Sequence, residues 1–291
     1  MLPGSTEAPG CFVSGLTRRV CGASPRGRAI RPDEPRDLGA GLLGSAVCRA
    51  LAEHGAVVVI SDIRGDDAGA LAAMLSHECL RAEWLPLDAS EESSIVACAA
   101  EILRRHGRLD GCVNMTFRYT KTPWDQMTTS EWEYGMRVSL TGAFLLSREA
   151  SKAMLRTDLP AGGGRRGGSI VHFSSMYGVV SPDPRMYPPN VVPNPIDYGV
   201  AKAGVLQQVR YHAVALAPSG IRVNAIVPGP FPYPWSQQKD DELMSRLKSK
   251  VPMGRVGDAD EIAGAVVFLC SDAASYVTGT QIVVDGGWTA W

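Results

Sequence analysis

The chain has 291 residues, with 29 basic and 30 acidic side chains, 45% apolar content and only 7% aromatics, which is the composition of a globular protein with one large domain. A formal net charge of −1 leaves no general excess of Lys and Arg to offset a phosphate backbone, so nucleic acid is excluded as the main partner. No apolar stretch reaches the roughly 18 residues of a membrane span and the N-terminus lacks a secretory apolar core, so a soluble, cytoplasmic protein is expected.

Seven cysteines (11, 21, 48, 79, 98, 112 and 270) are scattered without a Cys-x-x-Cys pair, and five histidines show no His-x-x-x-His spacing. Neither a disulfide framework nor a metal site is predicted.

Residues 1–38 are rich in Gly, Pro and Arg, and Pro32 and Pro35 stand where an initial strand is expected. This segment is read as atypical and poorly ordered, ahead of a single domain spanning 39–291. A first strand is therefore expected to be degenerate or missing, through a displaced start or a shifted reading frame. A makeshift strand at Cys11 to Gly15, reached through a long loop, is the alternative. An organelle transit peptide is a further reading, disfavoured by the prolines.

From residue 41 onward, β-branched runs alternate with amphipathic stretches. A helix is predicted over 41–54, then a buried strand at Val57 to Ile60. Further strands are expected at 84–87, 111–114, 169–173, 221–227 and 281–284, with helices near 66–77, 91–106, 130–156, 197–216 and 259–271. Six strands alternating with helices predict an α/β fold, a Rossmann-like doubly wound parallel sheet with helices on both faces. Residues 181–197 carry six prolines and read as a stiff irregular loop.

Gly39, Gly41, Leu43 and Gly44 open the first helix, where small residues let a pyrophosphate approach backbone N–H groups at the positive end of the helix dipole. The bland alternative is a glycine-rich helix entry. Asp62 follows at the end of the next strand, where a carboxylate accepts hydrogen bonds from an adenosine ribose and repels a 2′-phosphate. NAD is thus expected ahead of NADP, with Arg64 tempering the preference. Tyr198 and Lys202 lie four apart at a helix start, on one face. An ammonium beside a phenol favours the phenolate, which turns a poor base into a usable one.

Together these residues resemble the short-chain dehydrogenase/reductase family, classical type, from about residue 39 to the C-terminus. Ile170 to Gly178 is similar to the strand bearing the family's catalytic serine, at Ser175, and Tyr198 to Lys202 to its Tyr-x-x-x-Lys. Arg222 to Gly229 resembles the stretch covering the nicotinamide, and Val283 to Gly287 the terminal strand. The resemblance implies a hydride transfer between a nicotinamide cofactor and an alcohol or carbonyl. Tyr198 would be the general acid/base, Lys202 would lower its pKa and hold the ribose, and Ser175 would hydrogen-bond the reacting oxygen. Asp88 would meet the adenine, and Asn114, Pro228 and Gly229 would border the cofactor. Ser139 stands where the family has a relay asparagine, and its hydroxyl is expected to substitute. Met115 and Phe117 replace small residues, while Asp37, Leu38 and Leu42 depart from the family's glycine-rich loop.

The Met176 to Asp183 segment and the Gly286 to Thr289 ending look similar to bacterial members associated with sugar and surface-glycan biosynthesis. A sugar or polyol derivative is the expected substrate, and a 3-oxoacyl thioester the alternative. Arg185, Tyr187 and Asn190 on the proline-rich loop, with Trp124 and Trp132 opposite, are expected at the substrate mouth, although each reads equally as an ordinary loop residue. The helices near 130–156 and 197–216 resemble those through which the family forms dimers and tetramers, so a homo-oligomer is expected. A non-catalytic scaffold subunit with impaired cofactor binding is the reading from a different class.

Overall fold

A computed structural model describes residues 10–14, 41–118, 120, 122–156, 167–189, 191–233 and 241–291. The elements are β1 (Gly10–Ser14), α1 (Leu42–Glu53), β2 (Val57–Asp62), α2 (Gly65–His77), β3 (Ala82–Pro86), α3 (Glu92–His106), β4 (Gly111–Asn114), α4 (Thr129–Met136), α5 (Gly142–Leu155), β5 (Gly168–Phe173), α6 (Ile196–Leu216), β6 (Ile221–Pro228), α7 (Asp241–Lys250), α8 (Asp260–Cys270) and β7 (Gln281–Val284). Seven strands form one sheet in the order β3-β2-β1-β4-β5-β6-β7.

All neighbouring strands but one run parallel. The exception is β1, which pairs antiparallel with β2, Gly10 opposite Ser61 and Ser14 opposite Val57, and antiparallel with β4, Cys11 opposite Val113. A first strand is therefore present, five residues long and reversed, at the place of the alternative reading of residues 11–15. The physical reason is the cost of leaving the facing backbone groups of β2 and β4 unpaired in the middle of a sheet. The expected count of six strands becomes seven.

Alternation along the buried strands feeds two cores. On one face Val58 and Ile60 of β2, Val171 of β5 and Ile226 of β6 pack with Leu51, Leu71, Leu75, Ile262, Val266 and Leu269 of α1, α2 and α8. On the other, Val59, Ile170, Val223 and Val227 pack with Ile95, Ile102, Leu146 and Val209 of α3, α5 and α6. Period-2 alternation against period-3.6 helices is what builds this three-layer arrangement. The helix expected over 130–156 is divided by a π-helical turn, Arg137–Thr141. The N-terminus of α4 is fixed by a reciprocal pair in which Thr128 and Glu131 each bond the other's backbone. Helix α7 was not among the expected elements. It belongs to a third, smaller core in which Met244 and Leu247 pack with Met176, Tyr177 and Trp288.

Candidate active site

Pro195 closes the proline-rich loop and stands at the N-cap of α6, so Tyr198 and Lys202 fall on the helix's first two turns. Lys202 is 2% exposed. Its ammonium donates to the carbonyls of Phe173 at 2.8 Å and Thr116 at 3.3 Å, and lies 5.6 Å and 5.7 Å from the ring centres of Phe117 and Tyr198. Among the described residues no carboxylate pairs with it, and burial pushes its pKa down to about 7.

Ser175 follows β5 and caps the 3-10 turn Met176–Gly178, its Oγ accepting the Tyr177 N–H at 3.1 Å. That bond uses a lone pair, which leaves the hydroxyl proton for a reacting oxygen. The serine segment is locked onto α6 by Ser174 Oγ donating to the Lys202 carbonyl at 2.8 Å. Gly178 completes the lock, because a Cβ there would lie 2.9 Å from that same carbonyl oxygen.

Tyr198, Lys202 and Ser175 share a cleft of about 200 Å³ with Gly41, Leu42, Leu43, Gly44, Pro228 and Gly229. Gly41 holds φ at 64°, a left-handed value that suits glycine, and α1 starts without a side-chain cap. Gly229 is required by crowding, since a Cβ would lie 2.5 Å from the Asp285 Cα. A helix start with glycines at 41 and 44, opened by a left-handed glycine and facing the Tyr-Lys pair across one cleft, fits the pyrophosphate and nicotinamide end of a dinucleotide.

Other expected site residues lie outside the cleft lining. Asp62 is buried at the end of β2, its Oδ1 accepting the Arg64 N–H at 2.9 Å, while the Arg64 guanidinium stands 3.7 Å from Oδ2. Asp88 accepts both the N–H and the hydroxyl of Ser90, at 2.8 and 2.7 Å. Asn114 is turned inward: Oδ1 accepts the Thr116 N–H and hydroxyl, and Nδ2 meets His172 Nδ1 at 3.0 Å. Ser139 lies in the π-helical turn with its hydroxyl engaged by the backbone of Arg118, accepting N–H at 2.9 Å and donating to the carbonyl at 3.1 Å. In each case other groups of the protein, backbone or side chain, claim the side chain. Gly39 and Asn190 lie outside the described residues.

Sequence reasoning did not single out Phe173, Ser174, Phe231 or Tyr233, and noted Met115 and Phe117 only as departures, yet all line the cleft. Tyr233 reaches across it, its hydroxyl 3.4 Å from the Leu42 N–H. No local periodicity could have signalled a partner 191 residues away. Trp124 is 76% exposed and, like Trp132, is not part of the lining. The proline-rich loop is pinned instead by α7: Arg246 donates to the carbonyls of Arg185 and Tyr187 at 2.8 and 3.2 Å, and the Tyr187 and Tyr177 hydroxyls meet at 2.7 Å. Arg185 itself pairs with Asp183.

Fold and site together define a dinucleotide-type oxidoreductase. A family model described as Enoyl-(Acyl carrier protein) reductase matches residues 40–289. The chain is 35% identical to cis-4-hydroxycyclohexanecarboxylate dehydrogenase of Sinomonas cyclohexanicum, over 85% of this chain and 92% of that one. It is 30% identical to the 3-oxoacyl-[acyl-carrier-protein] reductase FabG of Aquifex aeolicus, over 84% and 92%. A crystal structure of a gluconate 5-dehydrogenase from Burkholderia cenocepacia in complex with NADP and tartrate superposes with a TM-score of 0.74 at 28% identity, covering 86% of this chain and 91% of that one. The chain belongs to the short-chain dehydrogenase/reductase family and is an oxidoreductase acting on CH–OH groups with a nicotinamide cofactor.

Proposed function

We propose that the chain interconverts an alcohol and a carbonyl on a sugar or polyol derivative, with NAD as the preferred dinucleotide. The observation that carries this reading is the convergence of Tyr198, Lys202 and Ser175 on the cleft that opens at the N-terminus of α1. When bound, the nicotinamide supplies the hydride acceptor or donor. Gly41, Leu43 and Gly44 would hold its pyrophosphate, and Pro228 and Gly229 would border the nicotinamide. Asp62 supports NAD as a carboxylate at the end of β2; Asp88 and Asn114 remain assigned to the cofactor side of the site.

Tyr198 takes the proton from the substrate hydroxyl in oxidation and returns it in reduction. Lys202, as a cation near the Tyr198 ring, favours the phenolate. Ser175 Oγ donates to the substrate oxygen as charge grows on it. Ser139 is retained as the relay candidate, acting through the loop whose backbone it holds. A sugar or polyol fits the gluconate 5-dehydrogenase neighbour, and a 3-oxoacyl thioester is the second reading, favoured by the likeness to FabG. The domain is taken to span 39–291, in the cytoplasm; among the described residues no helix is long and apolar enough to cross a membrane. A homo-oligomer is proposed through α5 and α6, which leave Phe144, Tyr211 and Val214 exposed.

Titration with NADH and NADPH, followed by turnover on a panel of polyols, sugar acids, alicyclic alcohols and 3-oxoacyl thioesters, tests the reading. Micromolar NADH binding with turnover abolished in Tyr198→Phe is expected. A folded protein that binds neither dinucleotide establishes the scaffold reading instead.

A further inference from the structure

Behind the catalytic face runs a chain of buried polar groups, of which only Asn114 has been given a place on the cofactor side of the site. Ser147 of α5, His172 of β5, Asn114 of β4 and Thr116 after it are exposed by 1%, 0%, 3% and 5%. Their protonation pattern follows from the partners. The Thr116 N–H can only donate, and it points to Asn114 Oδ1 at 3.0 Å, as does the Thr116 hydroxyl at 2.7 Å. Asn114 Nδ2 is therefore the donor toward His172 Nδ1 at 3.0 Å, and Nδ1 is unprotonated. The ring proton sits on Nε2 and is donated to Ser147 Oγ at 2.7 Å. Full burial, with the charges of His212 and Lys202 nearby, holds the His172 pKa down to about 3, so the ring stays neutral.

The chain ends on the Lys202 ammonium. Of the two carbonyls that receive it, one belongs to Thr116, whose N–H and hydroxyl are tied to Asn114, and the other to Phe173, the residue after His172 on β5, where it pairs with β6. We propose that His172 is a positioning residue for the reaction: as a neutral acceptor toward Asn114 it sets the Thr116 carbonyl and thereby the seat of the Lys202 ammonium. It touches neither substrate nor cofactor, and the inference rests on the reading of Lys202 given above. A buried imidazole suits the task because it supplies an acceptor on one side and a donor on the other in one rigid ring.

Two conservative variants separate positioning from packing. In His172→Asn the amide oxygen stands near the place of Nδ1 and accepts from Asn114, while the link to Ser147 is lost. In His172→Gln the terminal amide stands near the place of Nε2 and keeps Ser147 at the expense of Asn114. His172→Leu loses both. With the full-length chain, the pH profile of turnover and the titration of the Lys202 side chain by NMR are measured for all four proteins. Turnover in the Gln and Leu variants is expected to fall by about tenfold, with the acidic limb of the profile displaced, and the Asn variant is expected to stay within about threefold of the parent with its profile restored. Parental profiles and Lys202 titrations in both the Gln and Leu variants overturn the proposal, as does equal disturbance in the Asn and Gln variants. The NMR titration needs no turnover, so a protein inactive with every nicotinamide substrate defeats the oxidoreductase reading while the positioning of Lys202 is still decided.

Discussion

Gly178 and Lys202 meet backbone to backbone: a Cβ on Gly178 would lie 2.8 Å from the Lys202 carbonyl carbon and 2.7 Å from Ser174 Oγ. This contact brings the serine segment and the Tyr-Lys helix into one unit. Gly178→Ala forces the segment off the helix, because a helical carbonyl cannot yield as a side-chain tip can. The expected outcome is a loss of about 1–3 kcal/mol in urea unfolding and a fall in kcat of about tenfold or more. Unchanged kcat would show that Ser175 and Tyr198 are aligned by other contacts.

Lys202 couples stability to alkaline pH. Its folded pKa, pushed down to about 7 by burial, lies below that of an unfolded lysine, near 10.4. The unfolded chain binds more protons across that window, so wild-type stability should climb with pH between 7 and 10, by at most about 1.4 kcal/mol per unit from this group. In Lys202→Met the climb disappears along with turnover. Parallel stability curves for the two proteins would refute the lowered pKa, since a lysine that keeps its proton up to its ordinary value adds no slope in that window.

His172 acts at the acid end. Its pKa is depressed, so the unfolded chain takes up a proton on acidification below about 6.5 that the folded chain refuses until about pH 3. Stability present above 6.5 is lost as pH falls through that window, by roughly 2 kcal/mol between pH 7.5 and 5. His172→Asn should lack this component, seen as a narrowing gap between the two denaturation midpoints at pH 5.

Ser139 holds the Arg118 backbone across 21 residues of sequence. Ser139→Ala strands a half-buried N–H and should cost about 1–2 kcal/mol. If the hydroxyl acts only through this loop, KM rises while the pH profile of kcat keeps its shape. A displaced profile would assign Ser139 to the proton path itself.

Several features were legible because their signal is local. Helix α1 runs over Leu42–Glu53 against an expected 41–54, and β4 falls on the expected residues 111–114, since apolar period and turn residues lie within one window. Helix α7 escaped although its signal is local: Leu243, Met244 and Leu247 fall on one face between an acidic first turn and a basic last turn, and the high charge of the segment masked that short apolar stripe, which docks on Met176 and Trp288. The aromatic lining of the cleft escaped for a different reason, Tyr233 and Leu42 being brought together by the fold alone.

By itself the sequence determined the alternation of strands and helices, the pairing of Tyr198 with Lys202 one helical turn apart, and the serine at the end of β5, because each follows from spacing along a regular backbone. Tertiary structure decided which segment fills the centre of the sheet and in which direction, how Asn114 and Ser139 spend their hydrogen bonds, and what holds the ammonium of Lys202. Those outcomes depend on groups far apart in the chain competing for the same donors and acceptors. That competition is resolved only once burial makes an unpaired group costly.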